Sequence, residues 1–553
     1  MSHAAAATVR AAAPAGLAIA AFLLLTVSNA PWLGYAFLLI SLAVSWVAYR
    51  PPALGTDVPA RLVLAAGVLA YAAANGPVVP VAATGVALLG VVLTEPLLHR
   101  VVRPWFHAVR LPARPSAAAA AVDNGVAWLV HSAALALVGL AAVAPLPRWS
   151  LVPPALAGAA FAGWLLLDGL WRWRTGHRAE LAPLTAVLQR HGPRFALYFS
   201  APPGSTYQAR MWSPYLARIG EPYVVITPER HNLAPLAAAT SAPVVVCETF
   251  EALDAIMVPS LRAAFYVNHG MKNMHFVRYA QLWHVQLYHG DSDKAVTASP
   301  LNALYDRIFL AGQAAIDRFA AYGVDIPTGK FRVVGRPQVE QLQVVEQPVG
   351  EVDAPVVLYA PTWVGAHADS NYSSLPVAEE IVSGLLARGA TVVLRAHPYS
   401  RRHRESAATL HRLERLLARD GERTGRAHRY GPAAETERSL FDCMNLAHAM
   451  ICDVSSVASE FLYTGKPFAI TDMAGDGDHF TQRFPVGRAA YVLRHDAGNL
   501  PEVLDKLLND DPLAATRRRL RTYYLGEAPP DRYVEMFLNE ARQFVTGSKM
   551  GGA

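Results

Sequence analysis

Cysteine is nearly missing from this chain of 553 residues: Cys247, Cys443 and Cys452 are its only three. Three scattered thiols exclude a disulfide scaffold and a zinc knuckle. Charge is scarce as well. Asp, Glu, Lys and Arg make up 17% of the residues, against roughly 25% in an ordinary soluble domain, while 53% are hydrophobic. That balance excludes a disordered chain. The length fits about three domains of roughly 100–200 residues. A net charge of +6 is compatible with nucleic acid, an anionic membrane or an anionic substrate.

The shortage of charge is local. Residues 1–176 hold 14 charged side chains and the other 377 residues hold 78, about 8% against about 21%. The first third therefore reads as membrane and the rest as globular. A span needs about 17–25 mostly apolar residues. Segments 13–29, 32–49, 60–75, 77–98, 125–145 and 151–171 are the candidates, about six helices in three hairpins. The turns fall at Asn29-Ala30-Pro31, Asn75-Gly76-Pro77 and Pro145-Leu146-Pro147. The third segment is short and alanine-rich, which leaves four or five spans open. Hydrophobic segments continue long after the first, so a signal peptide is a poor reading.

With six spans, Arg10, Arg50, Arg61, Arg100, Arg103, Arg110, Arg114, Arg172, Arg174 and Arg178 fall on one side and only Arg148 on the other. Short cytoplasmic loops collect arginine. The expectation is a multi-pass cell-membrane protein whose N-terminus and globular remainder are cytoplasmic. Glu95, Asp123 and Asp168 sit near span ends, and Asp168 is spaced to pair with Arg172 one turn on. So few midplane charges argue for an anchor rather than a transporter core. Trp164, Trp171 and Trp173 read as an interfacial belt.

Beyond residue 176, short β-rich runs alternate with amphipathic helical patterns. The runs are 195–200, 223–227, 244–247, 264–268, 285–288, 307–310 and 331–334, then 356–360, 391–395, 449–453, 467–471 and 490–493. A Gln/Val/Pro-rich joint, 342–354, separates the two series. Helical patterns occupy 312–322, 376–388, 404–419, 455–464 and 500–509, and a last one, 531–546, is placed to pack back on the first series. Apolar strands alternating with helices imply parallel sheets covered on both faces. The expected architecture is therefore a transmembrane anchor (1–176), a first Rossmann-like domain (177–345) and a second (346–553), the latter two facing a cleft.

Ligands of such sheets bind beyond the carboxyl ends of the strands. Four ends carry chemistry: His289-Gly290-Asp291-Ser292-Asp293-Lys294, Pro361-Thr362-Trp363, Ala396-His397-Pro398 and Asp453-Val454-Ser455-Ser456. Ser455 or Ser456 is a good N-cap, and the helix it opens offers free N–H groups to a phosphate. Glu460, one turn further, is suited to a ribose hydroxyl. Histidine suits proton removal from a hydroxyl near neutral pH. His269 competes with His289 for that role; Asp291, Asp293 and Lys294 around His289 favour the latter through their charges. The tract Asp472, Asp476, Asp478 and His479 reads as a glycine-containing loop rather than a cation site. The clusters Arg401, Arg402, Arg404 and Arg517, Arg518, Arg519, Arg521 read as solvated helix faces, or as contacts for an anionic polymer or headgroup.

In order along the chain stand His289-Gly290 with Lys294, Gly335-Arg336-Pro337, Tyr359-Ala360-Pro361-Thr362-Trp363, Arg395-Ala396-His397-Pro398 and Asp453-Val454-Ser455-Ser456. Over about residues 195–525 this series resembles the CDP-glycerol glycerophosphotransferase family, the teichoic acid primases and polymerases. The resemblance implies a GT-B fold and transfer of glycerol phosphate, or a related polyol phosphate, from a CDP-linked donor to a hydroxyl of a lipid-linked or polymeric envelope acceptor. It implies a catalytic base at His289 and a phosphate-contacting histidine at His397. Donor contacts fall on Arg395, Thr362, Ser455, Ser456 and Glu460, and a turn near the domain junction on Gly335 and Arg336. Asp291, Lys294 and Asp453 are supporting residues. No metal or cofactor is expected, and membrane lipids but not nucleic acid are the expected surroundings. The chain departs from the family at Asp291, where His-Gly-Thr is common, and at Val364, where a basic residue often follows Pro-Thr-Trp. Two other readings stand beside this one: a GT-B glycosyltransferase using a nucleotide sugar, and a non-catalytic membrane scaffold or export component.

Overall fold

The computed structural model describes residues 3–549 apart from 29, 51, 345–347, 366–370 and 548. Asn29, in the first expected turn, and part of the 342–354 joint therefore lie outside the described residues. The chain divides into two compact units, residues 1–190 with 247–257, and residues 191–246 with 258–553.

The first unit is helical. Helices α1 (His3–Thr26), α2 (Pro31–Tyr49), α3 (Val58–Ala74), α4 (Val78–Val102), α5 (Val126–Val143) and α6 (Val152–Thr175) fall on the six expected apolar segments. Four stretches, Pro31–Tyr49, Val78–Val102, Val126–Val143 and Arg148–Thr175, are long and apolar enough to cross a membrane; Ala12–Thr26 and Val58–Ala74 are shorter apolar helices. Small residues let the helices approach. A Cβ on Gly67 would press on Phe22, and one on Gly139 on Tyr35 and Leu38.

Two arginines differ from the expectation that they mark a polar edge. Arg61 is buried, with Nη1 donating to Glu95 Oε1 at 2.6 Å and Nη2 bonding Glu95 Oε2 and the Thr56 carbonyl. His131 Nδ1 lies 2.9 Å from the same carboxylate. Glu95 is thus an internal partner rather than a span-end charge, because an ion in an apolar unit is tolerated only when paired. Arg172 is also buried. It meets Asp168 at 3.6 Å, as the spacing predicts, but also the carbonyls of Val102 and Arg103 and the carboxylate of Glu180.

The second unit holds two parallel sheets. The first comprises β1 (Phe195–Tyr198), β2 (Tyr223–Thr227), β3 (Val244–Cys247), β4 (Ala263–Tyr266), β5 (Trp283–Gln286), β6 (Arg307–Leu310) and β7 (Phe331–Val333), in the order β3-β2-β1-β4-β5-β6-β7. The second comprises β8 (Val356–Ala360), β9 (Thr391–Leu394), β10 (Ala449–Cys452), β11 (Phe468–Asp472) and β12 (Tyr491–Arg494), in the order β9-β8-β10-β11-β12. Every residue of β1 to β4, β10 and β11 is buried. This is why those strands read as unbroken apolar runs, and why Cys247 and Cys452 sit inside; Cys443 is buried too, on a helix. In each sheet the order reverses beside the first strand, so the carboxyl ends splay around a crevice there.

Helices α7 (Gln313–Ala321), α8 (Ala378–Ala387), α9 (Arg404–Thr424), α10 (Ser456–Phe461), α11 (Leu500–Asp505), α12 (Ala514–Leu525) and α13 (Pro530–Thr546) cover the sheets. Helix α13 does return to the first sheet: Val534, Phe537, Ala541 and Phe544 join its core, Phe537 beside Trp212 and Phe544 against Trp283. Arg517 is no surface cation. It is fully buried in α12, donating to the Gly465 and Ala489 carbonyls and paired with Asp511. Arg401 is held by Glu414 and Glu435. A buried guanidinium ties loops together through its five donors, which a one-dimensional charge pattern does not distinguish from a solvated face.

Candidate active site

His289 follows β5 and His397 follows β9, and the ring of Tyr207 stands edge-on to both. The Tyr207 centroid lies 6.2 Å from His289 and 6.0 Å from His397. The two histidines expected to converge across the cleft are therefore brought to either side of a tyrosine that no motif announced. Burial pushes the Tyr207 hydroxyl up to about 12, so it stays neutral.

The hydrogen bonds assign the tautomers. His289 Nδ1 is 2.9 Å from the Val267 carbonyl, which can only accept, so Nδ1 carries the proton. In the neutral ring Nε2 is then a free base. His397 is reversed. Its Nδ1 accepts from the Tyr399 N–H at 3.1 Å, so its Nε2 carries the proton and donates. Both rings are neutral at pH 7. Burial is the main cause of the shift in each, pushing His289 down to about 4, with Arg336 adding to it, and His397 down to about 3, with Lys294 and His289 adding to it.

Asp291 and Asp293 do not tune His289. Arg318 of α7 takes both, bonding Asp291 and lying 3.1 Å from Asp293. Asp293 also accepts from the Tyr524 hydroxyl at 2.6 Å and the Val486 N–H at 2.9 Å, which binds the first domain's loop to the second domain and to α12. Lys294 turns toward the second domain. Its ammonium lies 5.3 Å from the Tyr372 ring centre, and burial lowers it while Asp453 raises it. Sequence adjacency placed these charges around His289; alternation of side-chain direction along the loop separates them.

The second-domain motifs split between the cleft and its scaffold. Asp453 is buried and accepts from the Thr362 N–H at 2.6 Å, the Ser374 N–H at 3.1 Å and the Thr471 hydroxyl at 2.7 Å. Burial raises its carboxyl while these donors lower it. Asp453 and Thr362 thus shape the strand ends. Arg395 turns away from the cleft, its guanidinium on the carbonyls of Ala434 and Arg438. Ser455 holds the N-cap position of α10 without a side-chain capping bond, and its buried Oγ has no hydrogen-bond partner among the described residues. Ser456 lies under Gly290, where any Cβ would collide with its hydroxyl; the glycine of the His-Gly pair is required by this approach. The aspartate tract is a loop: Asp472 accepts from the N–H groups of Asp476 and Gly477, and Asp476 pairs with Arg483.

Arg336 and Glu460 meet each other. Arg336 Nε and Nη2 both donate to Glu460 Oε1, at 3.1 and 2.6 Å, and Nη2 also reaches the His289 carbonyl at 2.7 Å. Both side chains are buried. Gly335 is left-handed, with φ of 72°, and a Cβ there would strike the Tyr533 ring. Tyr399, Arg402 and the 203–205 loop close another edge. Arg402 stacks 4.4 Å from the Tyr399 ring centre and bonds the Pro203 carbonyl, and Ser205 meets the Tyr399 hydroxyl. Tyr207, Tyr399 and Arg318 were missed because each lies outside a motif, whereas the sequence reads Arg402 as part of a solvated helix face or an anionic contact.

Four histidines, His284 buried and the other three half-buried, give this unit a pH signature. His269, His284 and His289 are pushed to about 4 and His397 to about 3, from about 6.5 in an unfolded chain. Between those values the unfolded chain binds more protons, so stability falls as pH falls. Urea midpoints are expected to be flat from pH 8 to 7 and to drop between pH 6.5 and 4.5. A flat profile across the lower window would contradict these burials.

Two parallel, doubly wound domains meeting at their carboxyl edges, with a histidine from each side, define a GT-B-type fold. Residues 338–478 match the family of CDP-Glycerol:Poly(glycerophosphate) glycerophosphotransferases. The match is confined to that segment and contains three of the five motifs; the His289 and Gly335-Arg336 motifs precede it. A comparison with curated proteins gives no match. Among solved structures the chain is similar to the wall teichoic acid polymerase TagF, at 10% identity and TM-score 0.42 over 69% of this chain and 96% of that one. It is also similar to a protein from Listeria monocytogenes assigned as a UDP-N-acetylglucosamine 2-epimerase, at 11% identity and TM-score 0.41 over 63% and 95%. A glycosyltransferase from Rickettsia africae matches at 10% identity and TM-score 0.40 over 64% and 98%.

Proposed function

We propose that this protein is a membrane-anchored transferase that moves glycerol phosphate, or a related polyol phosphate, from a CDP-linked donor to a hydroxyl of a lipid-linked or polymeric envelope acceptor. The observation that carries the reading is the opposite tautomers of the two histidines: one a base, the other a donor.

His289 Nε2 takes the proton of the acceptor hydroxyl as its oxygen attacks the phosphorus bearing the polyol. The P–O bond to CMP breaks, and CMP leaves. His397 Nε2–H donates to a phosphate oxygen, Lys294 offers a positive charge close by, and Ser455 with the α10 N–H groups takes the remaining phosphate oxygens. Ser456 lines the approach beneath Gly290. Thr362, Asp453 and Arg395 hold the loops that frame the donor. Arg336 and Glu460 clasp the two domains behind His289. Phosphoryl transfer of this kind asks mainly for charge stabilisation and in-line positioning. The reading invokes no metal or cofactor and no nucleic-acid partner. It takes the six helices as spans and places the catalytic unit in the cytoplasm, where arginine-rich loops collect.

The test is a donor screen with the purified full-length protein, reading the released nucleotide by mass spectrometry. CMP release from CDP-glycerol or CDP-ribitol, dependent on a hydroxyl acceptor, is the expected result. Release of UDP or GDP from a nucleotide sugar would replace the reading with a glycosyltransferase. Failure to consume any CDP-polyol with any lipid-linked acceptor would sink it.

A further inference from the structure

The surface of the second unit is apolar in one place. Of its nine exposed large hydrophobic side chains among the described residues, five are Met271, Met274, Val296, Leu301 and Leu304. Four of these, all but Val296, line one small pocket with His269, Gly270, Asn273 and Tyr305. Met271 is 73% exposed, a cost that a lone solvent-facing methionine does not explain when three neighbours repeat it.

Two residues of the pocket lining carry buried polar atoms with no partner among the described residues: His269 Nε2 and Asn273 Oδ1. Their hydrogen-bonding sense is fixed by what surrounds them. Gln286 Oε1 accepts from the Tyr288 N–H at 3.2 Å, so Gln286 Nε2 is the donor that reaches the Asn268 carbonyl at 3.0 Å and His269 Nδ1 at 3.5 Å. With Nδ1 accepting, the proton of the neutral His269 ring sits on Nε2. Asn273 Nδ2 donates to the Asn268 carbonyl at 2.8 Å and to Tyr305 Oη at 3.1 Å, so its free atom is an acceptor. The lining therefore includes one donor and one acceptor, both neutral, among methionine and leucine.

A hydroxyl both donates and accepts and is the group that satisfies this pair. A phosphate or carboxylate would meet one donor and a repelling carbonyl oxygen. His269 follows β4 and His289 follows β5, adjacent parallel strands, so the pocket opens at the same sheet edge as the proposed base. We infer that this pocket binds the acceptor through a hydroxyl and the apolar segment next to it, the hydroxyl on His269 and Asn273 and the hydrocarbon on Met271, Met274, Leu301 and Leu304. This rests on the transferase reading for the word acceptor, though not for the chemistry of the pocket. Methionine suits a floppy hydrocarbon because its thioether adapts its shape.

The probe is a series of 1-O-alkylglycerols from ethyl to hexyl, titrated calorimetrically into the full-length protein in nanodiscs, with O-methylated counterparts as controls. Affinity is expected to rise about three- to four-fold per methylene until the groove is full, and the methylated series to bind at least ten-fold more weakly. Met271→Ser and Leu304→Ser, both at exposed positions, should flatten the chain-length dependence, and Asn273→Ala should erase the preference for free hydroxyls. Affinity independent of chain length, or equal for the methylated series, overturns the inference. CDP-glycerol turnover measured on the same preparation separates the two ideas. Turnover without chain-length dependence removes the pocket and keeps the transferase; chain-length-dependent binding without turnover keeps the pocket and removes the donor reading.

Discussion

His289→Ala is expected to lower polyol-phosphate transfer by about 10²- to 10⁴-fold, the usual contribution of a positioned general base, while CDP-donor affinity changes no more than a few-fold. In the proposed reaction His289 serves the acceptor hydroxyl, and its loss removes the lone pair that Val267 directs outward by holding the proton on Nδ1. His397→Ala should behave differently. In the proposed reaction its Nε2–H meets a phosphate of the donor, so both KM for the CDP-polyol and kcat should suffer. Steady-state kinetics on the two variants, with melting curves to show intact folding, check the split. Equal effects on donor KM from both would remove the assignment of roles. The pH profile gives an independent readout. The acid limb of kcat/KM reports the free enzyme, and His289 is held near 4, so the limb should lie between pH 4 and 5 rather than near 6.5.

Hydrophobic periodicity carried most of the architecture because parallel strands are buried on both faces and leave unbroken apolar runs. Val244–Cys247 and Tyr223–Thr227 sit where the sequence put them, and α13 returns to the first sheet as its pattern implied. The site was legible as far as strand ends could show it. His289 and His397 were found because ligands gather at carboxyl edges. What stayed hidden is what depends on the third dimension. Asp291 and Asp293 are neighbours of His289 along the chain, yet their charge is answered by Arg318, twenty-five or more residues away. Glu460 looked like a ribose ligand because it lies one turn into a helix, and its partner Arg336 is 124 residues distant. Arg61 counted as a loop arginine because the third helix was read as beginning near it, whereas its partner Glu95 lies inside the unit. Charge patterns give a sign and a position; they do not give a partner.

Arg336→Ala is expected to destabilise the second unit by about 3–5 kcal/mol, the cost of leaving a buried ionic partner uncompensated. Glu460 would remain in place, 3% exposed, with no cation. The His289 carbonyl and the face of Trp212, 5.7 Å from the guanidinium, would lose their contact as well. Arg336→Lys should not rescue it, because one ammonium cannot reproduce the planar fork that reaches Glu460 through Nε and Nη2 and the carbonyl behind it. The double variant Arg336→Met/Glu460→Leu should cost clearly less than the sum of the single changes, since removing both charges removes the desolvation problem itself. Urea denaturation of the four proteins measures the coupling. pH supplies the sign. Burial already holds the Glu460 carboxyl above its ordinary value against the pull of Arg336, and deleting Arg336 raises it further. A group with a raised folded pKa binds its proton more readily folded than unfolded, so its stabilising effect is present at low pH and lost as pH rises through the folded value. The stability gap between Arg336→Ala and the unaltered protein should therefore be widest at alkaline pH and narrow as pH falls. A gap that stays constant with pH would mean that Glu460 is not the group left stranded, and that the two domains are not clasped through it.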